Sequence, residues 1–195
     1  MIEYKKMSYE RFDECINILV ERLESYIENK NIKIDYICPI IRSGSVPAVY
    51  ISNKLNVVKF SPLQIKHITY KNGDESIETI LNSLEFLSVK KKQPIFLIVD
   101  ALQSTGRSVE IAIEEIKKVY SDAKILYVCL AKKYGSNMFE GIIDYFDYVF
   151  EYNEEQFGVE ECRKLNIDFY APVFPWENEI DQITHPDDAE ENIFF

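Results

Sequence analysis

The chain has 195 residues, 47% hydrophobic and 28% charged, an ordinary globular balance at a length that suits one domain, 1–195, with a sizeable core. Its formal net charge of -11 excludes nucleic-acid binding through bulk positive charge. Any anion site must therefore be local, built from a few cations and backbone N–H groups.

Ser8 can cap a helix with Glu10 in its first turn. Phe12, Cys15, Ile16, Leu19, Val20, Leu23, Tyr26 and Ile27 then recur at steps of three and four, which predicts an amphipathic packing helix over 9–28. Residues 32–41 are rich in isoleucine and read as a first buried strand. Arg42 stands at its end, Ser43-Gly44-Ser45 is a tight small-residue loop, and Val46-Pro47 can open a helix. That order makes a weak anion cradle, since many strand-to-helix turns contain Gly and Ser.

Asn56–Phe60 reads as a short strand. Residues 62–76 lose the helical period and reach a turn at Asn72-Gly73, the pattern of a surface hairpin. His67 within it reads as a loop histidine. Ile77, Ile80, Leu81, Leu84 and Leu87 suggest a helix before the solvated Lys90-Lys91-Lys92.

Ile95–Val99 is an unbroken apolar run, the signature of a central parallel strand buried on both faces. Asp100 stands where that strand is expected to end. Ser104-Thr105-Gly106-Arg107-Ser108 follows, then a helix over 107–119. A helix start carries unpaired N–H groups and partial positive charge, and the hydroxyls add donors, so the turn suits a phosphate. Asp100 can accept from sugar hydroxyls or hold hydrated magnesium. The plain alternative is a turn whose Ser and Thr merely cap the helix.

Residues 124–131 form another buried strand, with Lys132-Lys133 at its carboxyl end. Residues 144–170 are rich in aromatics and acids and read as an insertion available for self-association. Trp176 is the only tryptophan, and the acidic tail 181–191 reads as solvated, with Ile193–Phe195 free to dock on a neighbour. Cys15, Cys38, Cys129 and Cys162 lack CxxC spacing and read as buried thiols. No signal peptide or membrane-length run is apparent, so a soluble cytoplasmic protein without a membrane partner is expected. Strands alternating with helices predict an α/β domain with a mainly parallel twisted sheet flanked by helices.

Phe96–Ser108 resembles the phosphoribosyl-pyrophosphate (PRPP) motif of the type I phosphoribosyltransferases. Ala101 replaces its second acid, Gln103 an apolar position, and Ser104 an aspartate that many 6-oxopurine enzymes carry. Arg42-Ser43-Gly44-Ser45-Val46-Pro47-Ala48 resembles the pyrophosphate loop of xanthine–guanine-type members, with an unusual peptide expected at Arg42–Ser43. Thr69-Tyr70 resembles the Ser-Tyr pair of their mobile hood, and Phe174-Pro175-Trp176-Glu177 their C-terminal base-binding segment, about 168–180.

The resemblance implies transfer of 5-phosphoribosyl from PRPP to a nucleobase, a purine of the 6-oxo kind, with Mg2+ as cofactor. Arg42, Ser43 and Gly44 would take the pyrophosphate, and Asp100 the ribose and the metal. Ser104, Thr105, Gly106, Arg107 and Ser108 would hold the 5′-phosphate, Lys132 and Trp176 the base. Arg42, Asp100 and Ser104 are the expected catalytic residues, and a homodimer or homotetramer the expected assembly. A non-catalytic PRPP- or nucleotide-binding regulator of the same fold is the alternative.

Overall fold

The computed structural model describes residues 4–69, 75–84, 87, 91–154 and 156–177. In chain order the elements are β1 (Tyr4–Lys6), α1 (Tyr9–Lys30), β2 (Tyr36–Ile41), α2 (Ser45–Leu55), β3 (Leu63–Thr69), β4 (Glu75–Asn82), β5 (Ile95–Gln103), α3 (Arg107–Val119), β6 (Lys124–Lys133), β7 (Tyr145–Tyr152), α4 (Val159–Leu165) and β8 (Ala171–Val173). The main sheet runs β4-β3-β2-β5-β6-β7. Its pairs are parallel except β3–β4. β1 and β8 form a separate parallel pair.

β5 is central because its sequence tolerates no water on either side. Leu97 and Val99 pack with Phe12, Leu19, Ile51 and Val128 on the α1–α2 face, while Phe96 and Ile98 pack with Val109, Ile116 and Tyr127 on the α3 face. Alternate side chains of a strand point to opposite faces, so an all-apolar run requires two covers. α1 supplies one. Its stripe of Phe12, Cys15, Ile16, Leu19, Val20 and Leu23 is buried. Ser8 Oγ accepts the Arg11 N–H at 3.1 Å, and Asn31 ends the helix at φ 48°. All four cysteines are buried and unbridged. No described helix is long and apolar enough to cross a membrane.

Several expectations are corrected. The stretch after residue 76 is not a helix but strand β4, paired antiparallel with β3. Ile80 and Leu81 are 53% and 41% exposed, so their helix-like spacing does not mark a buried stripe. The antiparallel pairing expected of the 62–76 segment is present between β3 and β4, but His67 lies in strand β3 rather than in a loop; Thr69 ends β3, and Tyr70 lies outside the described residues. Residues 56–60 contribute only the bridge Ile37–Phe60 to the sheet, because Asn56 closes α2 at φ 52°. β5 continues three residues past Asp100, to Gln103.

The 144–170 segment is no insertion. It provides β7, paired with β6 from Tyr145 to Tyr152, then α4. Its aromatics seal the sheet edge: Tyr127 stacks on Phe146 at 4.9 Å and Tyr26 on Tyr145 at 4.1 Å. The acidic tail and Ile193–Phe195 lie outside the described residues.

Candidate active site

The carboxyl ends of β2 and β5 lie side by side because those strands pair in parallel, from Tyr36–Phe96 to Pro39–Val99. The turn after β2 is pressed against β5 at Val99 and Asp100, shortly before that strand ends at Gln103. A Cβ placed on Gly44 would overlap the Val99 carbonyl oxygen and come 3.1 Å from Asp100 Cα. Only glycine lets the turn approach the strand this closely. Arg42, exposed, follows the cis peptide Ile41–Arg42, one bond earlier than the unusual peptide expected at Arg42–Ser43.

Asp100 points away from the α1–α2 core, whereas Ala101 is 0% exposed and belongs to that core. A single carboxylate thus reaches the sheet edge from this strand. The Ala101 N–H donates to Asp100 Oδ1 at 2.8 Å. Burial raises the Asp100 pKa from the ordinary 3.8 to about 7; the Ala101 amide opposes that rise, and the negative charge of Glu177 adds to it.

Glu177 arrives from the other end of the chain. Its Oε1 accepts the Ser43 hydroxyl at 2.7 Å and its Oε2 accepts the Phe174 N–H at 3.1 Å. Glu177 closes the Phe-Pro-Trp-Glu string noted in the sequence, but nothing local assigned it a contact with residue 43. Asp100 and Glu177 are two carboxylates near enough for the charge of one to act on the other, and among the described residues no group of three or more potential metal ligands gathers.

A cleft of about 720 Å3 opens beside Asp100, lined by residues 76–77, 100, 102–109 and 111. It gathers Asp100, Ser104, Thr105, Gly106, Arg107 and Ser108. Gly106 sits at φ 87° as the N-cap of α3, and a Cβ there would meet Phe139 Cζ at 2.8 Å. Thr105 Oγ1 accepts the Arg107 N–H at 3.3 Å, and the Arg107 guanidinium pairs with Glu110 at 2.9 Å. Small residues, a left-handed glycine and a helix start are the combination that suits an anion.

Lys132 and Trp176 stand apart from this cleft. Lys132 is 2% exposed, with its Nζ 2.8 Å from Glu151 Oε1 and over the Tyr148 ring. Trp176 stacks on Phe174 at 5.2 Å and meets Phe12 edge-on at 5.0 Å. The indole therefore packs on the α1 side of the sheet, next to the residue that carries Glu177.

The family model described as the phosphoribosyl transferase domain matches residues 8–161, most of the described fold and both turns. The chain belongs to the phosphoribosyltransferase family. Among solved structures, the chain is similar to the purine phosphoribosyltransferase of Pyrococcus horikoshii, at 26% identity and TM-score 0.62 over 91% of this chain and 96% of that one. It is similar to a hypothetical protein from Neisseria gonorrhoeae with bound ppGpp, at 17% identity and TM-score 0.68 over 98% and 97%. It is also similar to the xanthine–guanine–hypoxanthine phosphoribosyltransferase of Helicobacter pylori, at 16% and 0.57 over 92% and 97%. The last two show the fold alone. No curated protein matches the chain.

Proposed function

We propose that this phosphoribosyltransferase moves the 5-phosphoribosyl group of PRPP to a ring nitrogen of a 6-oxopurine and releases pyrophosphate. The observation that supports this reading is the contact of Gly44 with Val99 and Asp100, which seats the turn after β2 against the strand that leads into residues 104–108. A sugar with phosphate at one end and pyrophosphate at the other has an anion to offer each turn.

The backbone of residues 104–108 and the hydroxyls of Thr105 and Ser108 hold the 5′-phosphate at the start of α3. Arg42 and the amides of Ser43 and Gly44 receive the pyrophosphate as it leaves. Asp100 accepts from the ribose hydroxyls. Asp100 and Glu177 would hold Mg2+, which when bound supplies positive charge against the departing pyrophosphate. The reaction passes through a sugar with cationic character, so positioning and charge placement carry the rate. The β3–β4 pair, with Thr69 at the end of β3, is suited to cover the sugar and exclude water. Lys132 and Trp176 act on the base indirectly: Lys132 fixes β7 through Glu151, and Trp176 anchors the segment bearing Glu177. Action in the cytoplasm, as a homodimer or homotetramer, completes the reading.

The experiment supplies PRPP and Mg2+ with guanine, xanthine, hypoxanthine and adenine and measures pyrophosphate release. Release with a 6-oxopurine and not with adenine is expected. PRPP binding without turnover of any base would favour a regulatory binding protein, a reading to which Ala101 and the resulting single strand-end acid lend support.

A further inference from the structure

The purine nitrogen that attacks the sugar carries a proton that must leave, and the roles above give it no destination. Ser104 stands one residue beyond β5 and lines the cleft. Its hydroxyl donates to Glu154 Oε2 at 3.4 Å. Glu154 lies two residues after β7, and its carboxylate is ion-paired with Lys133 of β6. The two side chains are only 19% and 27% exposed.

The turn that presents Glu154 is firmly built. Asn153, 5% exposed, accepts the N–H groups of Gln156 and Phe157 at 3.1 Å each and donates to the Phe157 carbonyl at 2.9 Å. Among the described residues, Lys133 pairs with the carboxylate and Tyr152 feels its charge. Tyr152 is 1% exposed; burial raises its phenol first, the charge of Glu154 adds to that, and a hydrogen bond with Ser104 opposes it. A carboxylate beside a phosphate cradle would ordinarily repel the ligand. Here Lys133 neutralises it, so it can serve chemistry without that penalty.

We propose that Ser104 is the hydroxyl through which the base proton leaves and Glu154 the carboxylate that holds the hydroxyl and receives its proton. This rests on the transferase reading. The C1–oxygen bond to pyrophosphate breaks and its electron pair leaves with pyrophosphate. The nitrogen–C1 bond forms from the nitrogen's electrons. The N–H proton passes to Ser104 Oγ, whose own proton passes to Glu154 Oε2, and the neutral acid returns it to water after release. Because it acts through Ser104, Glu154 is a positioning residue.

The test compares pyrophosphate release by the native protein, E154Q, E154D and S104D/E154Q with PRPP, Mg2+ and the accepted base. E154Q is expected to lower kcat about 100-fold while KM for PRPP moves less than about threefold. S104D/E154Q, which moves the acid into the place of the hydroxyl, is expected to regain at least about tenfold over E154Q. Should E154Q fail to fold, E154D decides. It keeps the Lys133 pair but draws back from Ser104, and kcat should fall about tenfold. Unchanged kcat in E154Q or E154D, a loss confined to KM for PRPP, or no recovery in S104D/E154Q would overturn the relay while leaving the transferase standing. A native protein that turns over no base overturns both.

Discussion

Gly44 and Asp100 touch backbone to backbone, with no room for a Cβ between the turn after β2 and strand β5, three residues before that strand ends. Their contact holds the first loop against the strand that carries the second. A methyl there must push the first loop off that strand. Gly44→Ala is expected to cost about 1–3 kcal/mol in denaturant unfolding and to abolish PRPP binding in calorimetry. The two losses should appear together, because the same displacement causes both.

The Asp100 carboxyl titrates near neutrality for a reason that also sets the pH dependence of stability. Its pKa is raised on folding from 3.8 to about 7. Between those values the folded protein binds more protons than the unfolded chain, so stability falls as pH rises through that window. Asp100→Asn should flatten this slope in urea melts taken from pH 4 to 8. In the native protein Mg2+–PRPP selects the ionised carboxylate, so its affinity should strengthen as pH rises toward about 7.

Gly106 meets two separate constraints, φ 87° and Phe139 Cζ at 2.8 Å from a would-be Cβ. Gly106→Ala is expected to destabilise by about 2 kcal/mol in thermal melts. Adding Phe139→Leu should restore the part due to crowding and leave the part due to the left-handed backbone.

Trp176 packs with Phe174 and Phe12, and its contacts predict stability rather than base recognition. Trp176→Ala should cost about 3 kcal/mol, while Trp176→Phe should keep most of that stability. With the fold kept, Trp176→Phe should leave KM for the base unchanged. A large rise in that KM would instead show the indole stacking on the purine.

How much of this was legible in the chain depends on how local the cause is. α1 declared itself through Ser8 and its apolar stripe, and β5 through Ile95–Val99, because one helix or strand contains the whole pattern. β4 misled: Ile77, Ile80, Leu81 and Leu84 fall at helical steps, yet pairing with β3 satisfied the backbone as a strand. β7 misled for another reason. Its aromatics are partly buried along the sheet edge, so they lack the clean alternation of a half-buried strand. The two turns were legible as motifs. The arrival of Glu177 at Ser43 and of Glu154 at Ser104 was not, since tertiary packing over 134 and 50 residues decides both.

The central claim is that one ligand spans both turns, and backbone amide chemical shifts under titration test it most directly. PRPP with Mg2+ should move the amides of residues 43–45 and 104–108 together. Pyrophosphate alone should move only the first set, and ribose 5-phosphate only the second. PRPP that shifts one set, or neither, would contradict the account.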